Sequence, residues 1–283
     1  MDSLPSITRR LFLFLAGGML AKLRFASAKG DEDSKRFESA NEILRQMAET
    51  YKMCKSYQDS GTVTTIYHQK GGKQHTDSRP FTTAFVRPDR FRFEFKSSFD
   101  GKKWHRYIVW AHGKDVRSWW DIPKSGNTRA KLEQPESLNM ALAGPTGVSG
   151  GSAHTIPALL LPDQIEGRRL TDLAEVKRLD DADLERIHCY RIQGRVLPVE
   201  MKKAEPDHLR QKIQKPPGRQ PEEGKYGPTV VWIDIATFLV RRIEEKMQFE
   251  SFRADSITEY DASVDTPIAE KQLEFGKPEA HDD

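Results

Sequence analysis

The stretch Gly147-Val148-Ser149-Gly150-Gly151 matches the G-x-S-x-G spacing of a hydrolase nucleophile elbow, with His154 close behind it. An elbow of that kind needs a strand before the serine and a helix after it, inside an α/β sheet. Here the preceding Ser137–Ala143 reads as a short helix stopped by Gly144-Pro145, and the flanks are rich in Gly and Ser. The match therefore predicts a flexible loop, and no residue is assigned a catalytic role. The eight histidines are scattered singly, without H-E-x-x-H or paired Cys/His spacing, so no metal or cofactor is expected. His105 and His112 fall on a strand and its end, which does not bring both rings to one point. Asp180-Asp181 and Glu222-Glu223 read as solvated acidic pairs in loops. Arg241-Arg242, beside a turn, can meet a lipid phosphate, a partner or plain solvent.

Cys54 and Cys189 are the only cysteines. In an oxidising compartment they can pair and close a long loop; otherwise they are two buried thiols acting as small apolar residues. The compartment is suggested by the start of the chain. Thr8-Arg9-Arg10-Leu11-Phe12-Leu13 leads an apolar run to Ala21, and Phe25-Ala26-Ser27-Ala28 ends it. A basic start, a short apolar segment and an A-x-A ending make a signal peptide over residues 1–28. Its paired arginines resemble those of a twin-arginine export signal. The apolar run is about half the ~20 residues of a spanning helix. Cleavage near Lys29 and a soluble, periplasmic mature chain are expected. That segment holds four cations against Asp2, so without it the net charge of +3 falls to zero and nucleic acid is not an expected partner.

The elements that would position these residues are mostly strands. Residues 29–36 read as a charged arm. A helix begins at Ser34 or Ser39, with Phe37, Leu44, Met47, Ala48, Tyr51 and Cys54 on one face. Strands follow through about Gln69, over Thr82–Val86, over Arg90–Lys96, and over Trp104–Ala111 and Val116–Ile122, joined by Gly- and Asp-led turns. In Arg90–Lys96, three Phe alternate with four charges, which predicts one dry and one wet face. The strand pattern breaks at Ser137–Leu161, an apolar, Gly-rich excursion that reads as a cover over a cavity or as a crossover. Strands resume over Leu173–Leu179 and Glu185–Leu197. Residues 201–227 form a polar, Pro- and Lys-rich insertion. The most apolar ribbon comes next, Thr229–Ile233 and Phe238–Ile243, with Asp234, Arg241, Arg242 and Glu244 directed to water. A last strand spans Ser256–Ala262, Glu274–Pro278 is a final extended piece, and 279–283 is a tail. The expected class is α+β, mainly β, with about ten antiparallel strands.

Four stretches carry a resemblance. Lys55-Ser56-Tyr57-Gln58-Asp59-Ser60-Gly61 opens the first strand. Cys189-Tyr190-Arg191-Ile192-Gln193-Gly194 lies in a later one. Val231-Trp232-Ile233-Asp234 leads to Thr237-Phe238-Leu239-Val240-Arg241-Arg242-Ile243, and Thr266-Pro267-Ile268-Ala269 leads to Leu273-Glu274-Phe275. In this order they resemble the bacterial LolA-like superfamily, which includes outer-membrane lipoprotein-sorting proteins. The resemblance covers roughly 37–278 and implies a strongly curved antiparallel half-barrel around short plug helices, beneath an N-terminal helix. It implies a non-enzymatic, monomeric carrier whose concave face binds lipid or the acyl chains of a lipoprotein. The alternative is an envelope sensor that uses the same fold to bind a membrane or envelope protein. Phe91, Phe93 and Phe95 would form the wall and Met140, Leu142 and Leu160 the plug, while Trp110, Trp119 and Trp232 would be lining residues or plain core. Arg79 and Arg87 both stand as candidates for the arginine that controls the family's lid.

Overall fold

Period-two alternation runs through β1 (Ser56–Gln69), β2 (Gln74–Val86), β3 (Arg90–Ser98), β4 (Trp104–His112) and β5 (Asp115–Trp120), and β6 (Lys131–Glu133) ends this half of the sheet. The other half holds β7 (Ala174–Leu184), β8 (Ile187–Arg195), β9 (Lys225–Tyr226), β10 (Pro228–Asp234), β11 (Val240–Gln248) and β12 (Phe252–Val264). The computed structural model describes residues 39–98, 101–122, 130–196 and 225–276. The leader, the arm, Phe37, the body of the polar insertion at 201–224 and the tail lie outside them.

All strands join one antiparallel sheet in the order β6-β5-β4-β3-β2-β1-β12-β11-β10-β8-β7, with β9 pairing the far end of β11. Because β6 and β7 do not pair with each other, the sheet is open. This is the mainly β, open half-barrel with an N-terminal helix and central helices that the resemblance implied. The insertion ends earlier than its composition suggests, since Lys225 and Tyr226 already pair with Gln248 and Met247.

Register stacks the inner face in rows. Tyr57, Phe85, Phe91 and Ala111 form one row; Asp59, Thr83, Phe93 and Val109 the next; Gly61, Phe81, Phe95 and Tyr107 the third. Tyr260 and Ala262 of β12 extend the last two rows from the other side of β1. These aromatic rings are buried against three helices. The helix α1 (Ala40–Met53) starts at Ser39, whose hydroxyl accepts the Glu42 amide, and buries Ile43, Leu44, Met47 and Tyr51. A serine oxygen there satisfies one of the amides that a helix start leaves unpaired. The Tyr51 hydroxyl accepts the Val240 amide at 3.0 Å, which fastens α1 to β11.

The central excursion forms α2 (Leu138–Thr146) and α3 (Ser152–Leu160). Sequence predicted that Gly144-Pro145 would stop the first of these. Instead the helix runs on to Thr146 with Pro145 buried, so its end is set by packing. The second helix begins four residues before the expected Ile156, its N-terminus led by Gly151.

The short motifs prove to be joints of the sheet. Asp265 accepts the amides of Lys55 and Ser56, closing β1 onto the end of β12. Asp234 was expected in water but is buried, because one oxygen accepts the amides of Ala236 and Thr237 and the other takes the Arg241 guanidinium. Arg241 also donates to the Ala262 carbonyl, so it too is enclosed. A buried ion pair with these extra bonds organises the β10–β11 turn. Gly61 leaves no room for a side chain: a Cβ there would fall 2.3 Å from the Phe81 ring and 2.4 Å from the Glu259 carbonyl. Gly61→Val should lower stability by about 1–3 kcal/mol through overpacking. Urea unfolding measures it, and an unchanged midpoint would refute the close approach.

Candidate functional site

The inner face divides into a covered and an open zone. In the covered zone Phe91, Phe93, Phe95, Leu142 and Leu160 come together, all buried. Phe95 stacks on Tyr107 with centroids 5.8 Å apart, and Phe81 meets Tyr260 edge-on at 5.5 Å. Sequence placed these five residues in one site, and they share one core. Met140 does not join them; it is 55% exposed on the far side of α2.

The three tryptophans lie on the other side of the sheet. Trp110 pairs with Arg92, on the face opposite Phe91 and Phe93, and its indole donates to the Leu273 carbonyl at 2.7 Å. Phe275 and the Arg117 guanidinium cover its ring. Trp119 sits across from Ile108 and Leu132 on that same outer face. Trp232 is held between the guanidinium groups of Arg191 and Arg242, 4.6 and 5.5 Å from its ring, and donates to Glu244. These rings brace the convex surface, where cation–π contacts cover Trp110 and Trp232 and Trp119 is buried among its neighbours.

Both candidate arginines reach the helical cover, from opposite ends. Arg87 donates to the Leu160 carbonyl at the end of α3 and to the Tyr51 and Cys54 carbonyls at the end of α1. Arg79 donates to the Val148 carbonyl in the α2–α3 loop and pairs with Asp77. Beside it Gly150 presses so close to Val63 that a Cβ would fall 2.7 Å from it. The cover ends at this row.

Under the cover lies a carboxyl group. Asp59 accepts the Thr83 amide at 2.7 Å and meets the Tyr57 hydroxyl at 2.7 Å. Burial pushes its pKa up to about 7, against the lowering effect of those two bonds. Burial likewise raises the hydroxyls of Tyr57 and Tyr260, which share this environment. A same-face Tyr and Asp in Tyr57-Gln58-Asp59 was the signal in the sequence, but only the register shows that the face is the inner one.

Beyond Arg79 the inner face continues without the helices. Tyr67 and His75 stack there with centroids 6.2 Å apart, and Tyr67 meets Phe252 at 5.8 Å. They line a cavity of about 670 Å³ together with Gln69, Lys70 and Ser251. Glu245 faces inward across from Ser256, and burial raises its pKa while Arg168 opposes the rise. Sequence reasoning placed Tyr67 and Gln69 in a strand, left His75, Ser251 and Phe252 outside any strand, and gave none of them a site role.

The residues first considered for chemistry are engaged in local contacts. Ser149 is buried; its hydroxyl donates to Thr146 and accepts the Ala153 amide, so it serves the α2–α3 loop. His154 bonds the Glu166 carbonyl at 2.8 Å. Cys54 and Cys189 are free buried thiols, at the end of α1 and within β8, and burial raises each to about 11. Of the two readings of the cysteines, the structure has the unpaired one. Among the described residues no group of acidic, His and Cys side chains could hold a metal, and no helix is long and apolar enough to cross a membrane.

No protein-family model matches the chain, and no curated protein matches it. Solved structures of similar outline include the lipoprotein LppX of Mycobacterium tuberculosis, at 10% identity and TM-score 0.37, with 81% of this chain and 96% of that one covered. A domain of an outer-membrane lipoprotein-sorting protein from Vibrio parahaemolyticus has 11% identity and TM-score 0.34, covering 82% and 95%. A LolA superfamily protein from Nitrosomonas europaea has 11% identity and TM-score 0.29, covering 83% and 97%. Superposition at that level is loose, and the description of the fold rests on the strand order and register above.

The raised pKa of Asp59 has a definite sign. The folded state holds the proton more tightly than the unfolded chain, whose carboxyl titrates near ~4. Stability from this group is therefore fully present below about pH 4, falls as pH rises toward 7, and is flat above. Asp59→Asn keeps an acceptor for Thr83 and should remove a pH dependence of about 1–4 kcal/mol. Urea unfolding at pH 5 and pH 7.5 tests it; equal slopes for both proteins would contradict the assignment.

Proposed function

We propose that the chain is an exported, non-enzymatic carrier that holds lipid, or the acyl part of a lipoprotein, against the inner face of its open sheet. The observation that carries this reading is the cover. An aromatic-rich face is closed by two short helices that Arg79 and Arg87 tie down through carbonyls of the cover.

Magnitudes make exchange plausible in physical terms. Each buried methylene contributes about 0.8 kcal/mol, so a chain of about sixteen carbons gains roughly 12 kcal/mol. Leu138, Leu142, Ile156, Leu159 and Leu160 are the large apolar side chains that α2 and α3 bury. At about 1.5–3 kcal/mol each they contribute roughly 7–15 kcal/mol. Cover and cargo thus compete on near-equal terms, which is what reversible loading requires. The twin-arginine-type leader supplies the route to a periplasmic location, and Lys29 is the proposed first residue after cleavage.

The filled inner face also supports a second reading, an envelope sensor that binds a protein partner on its surface. Cross-linking in cells separates the two, because protein adducts without co-purifying lipid favour the sensor.

Native mass spectrometry after gentle extraction should show bound lipid, and a fluorescent fatty acid should be taken up. Arg87→Ala removes charge-assisted bonds worth about 1.5–3 kcal/mol and should raise apparent affinity at least about tenfold by freeing the cover. A clean apo mass with no uptake by either protein would refute the carrier.

A further inference from the structure

Four rings cross the open end of the sheet in a continuous band. His75 on β2, Tyr67 on β1, Phe252 on β12 and Phe249 in the β11–β12 turn follow one another at 6.2, 5.8 and 4.4 Å between centroids. None of them belongs to the buried core, and each is half-buried or exposed. The two hairpin tips that carry them lie side by side, since Gln69 pairs with Phe252. Tyr226, 55% exposed, stands on the next strand beyond β11, where β9 pairs with Met247.

Around this band the exposed charges are mainly cationic. Lys70 and Lys73 flank the β1–β2 turn, Lys225 opens β9, and Lys246 lies on the adjoining β11. The acids at this end are mostly engaged: Asp77 with Arg79, and Asp255 with His68 and Arg253. Among the described residues of the β11–β12 turn, Glu250 is an exposed acid. Aromatic rings with one side wet, ringed by long cationic side chains, are the pattern of groups that sit at a membrane–water boundary. Lysines near an anionic bilayer each contribute attraction that dies away within a Debye length.

We propose that this end of the sheet, the tips of β1–β2 and β11–β12 with β9, is a docking surface for an anionic lipid bilayer. The occupant is identified by charge complementarity and by the half-exposed aromatic band, and docking needs no cargo in the inner face. It would set the cavity lined by Tyr67, His75 and Phe252 against the bilayer surface.

The test uses the full chain with an environment-sensitive nitrobenzoxadiazole label on Glu250→Cys, since Cys54 and Cys189 are buried. A probe at this turn reports the tip itself, whatever the N-terminal leader does. Vesicles of equal parts phosphatidylglycerol and phosphatidylcholine should shift its emission to the blue, and added salt should reverse the shift. Lys70→Glu with Lys73→Glu should weaken the response at least about tenfold. Lys55→Glu with Lys114→Glu, exposed at the opposite end, should leave it unchanged. An unshifted probe, an equal shift with phosphatidylcholine alone, or equal losses from both pairs of substitutions would overturn the proposal.

Discussion

An antiparallel sheet that curves without closing has one apolar face that water must not reach, and the rest of this structure follows from that constraint. Tyr57, Phe81, Phe85, Phe91, Phe93, Phe95 and Tyr107 all point to that side and are buried. A closed barrel would hide them by pairing its edges. Here β6 and β7 stay apart, so helices do the covering, α1 from one end and α2–α3 across the middle. A face covered by helices differs from a face covered by its own sheet. In the proposed carrier the cover leaves when something equally apolar takes its place.

Polar groups decide where the cover stops and how firmly it is held. Arg87 fixes the end of α3 to the end of α1, and Arg79 fixes the α2–α3 loop at the row of Val63. Between these clamps Asp59 sits among Tyr57, Thr83 and Tyr260, a carboxyl that burial keeps largely protonated below neutral pH. Past Arg79 the same face carries Tyr67, His75 and Phe252 to the hairpin tips, beyond the reach of α1, α2 and α3. Covered zone, clamp and open zone therefore succeed one another along the same strands.

Much of this was legible in the residues. Alternation in Arg90–Lys96 shows a strand with a dry face, Ser39 is one of the two serines that could start α1, and the apolar excursion at Ser137–Leu161, legible as a cover or a crossover, folds as α2 and α3. Strand pairing could not be read the same way. Trp110, Trp119 and Trp232 are large and apolar, so composition alone suggests a lining role. A one-residue difference in register sends a side chain to the opposite face, and all three brace the convex surface. The same ambiguity hid Asp59, whose inward direction depends on its pairing with Thr83 and Ala262. Gly144-Pro145 misled for a related reason. Local propensity favours a stop there, yet with Pro145 buried the helix runs on to Thr146, three residues past Ala143. Motifs that resemble a family turned out to be joints, as with Asp234 and Asp265, which explains why they identify a scaffold more readily than a cargo.

The central claim is that α2 and α3 are a displaceable cover over a face able to hold an acyl chain. Hydrogen exchange with and without excess fatty acid measures this most directly. The account predicts faster exchange in Leu138–Leu160 when the fatty acid is present, while β1 to β3 keep their protection. Unchanged exchange in those helices, with fatty acid demonstrably bound elsewhere or not bound at all, would contradict it.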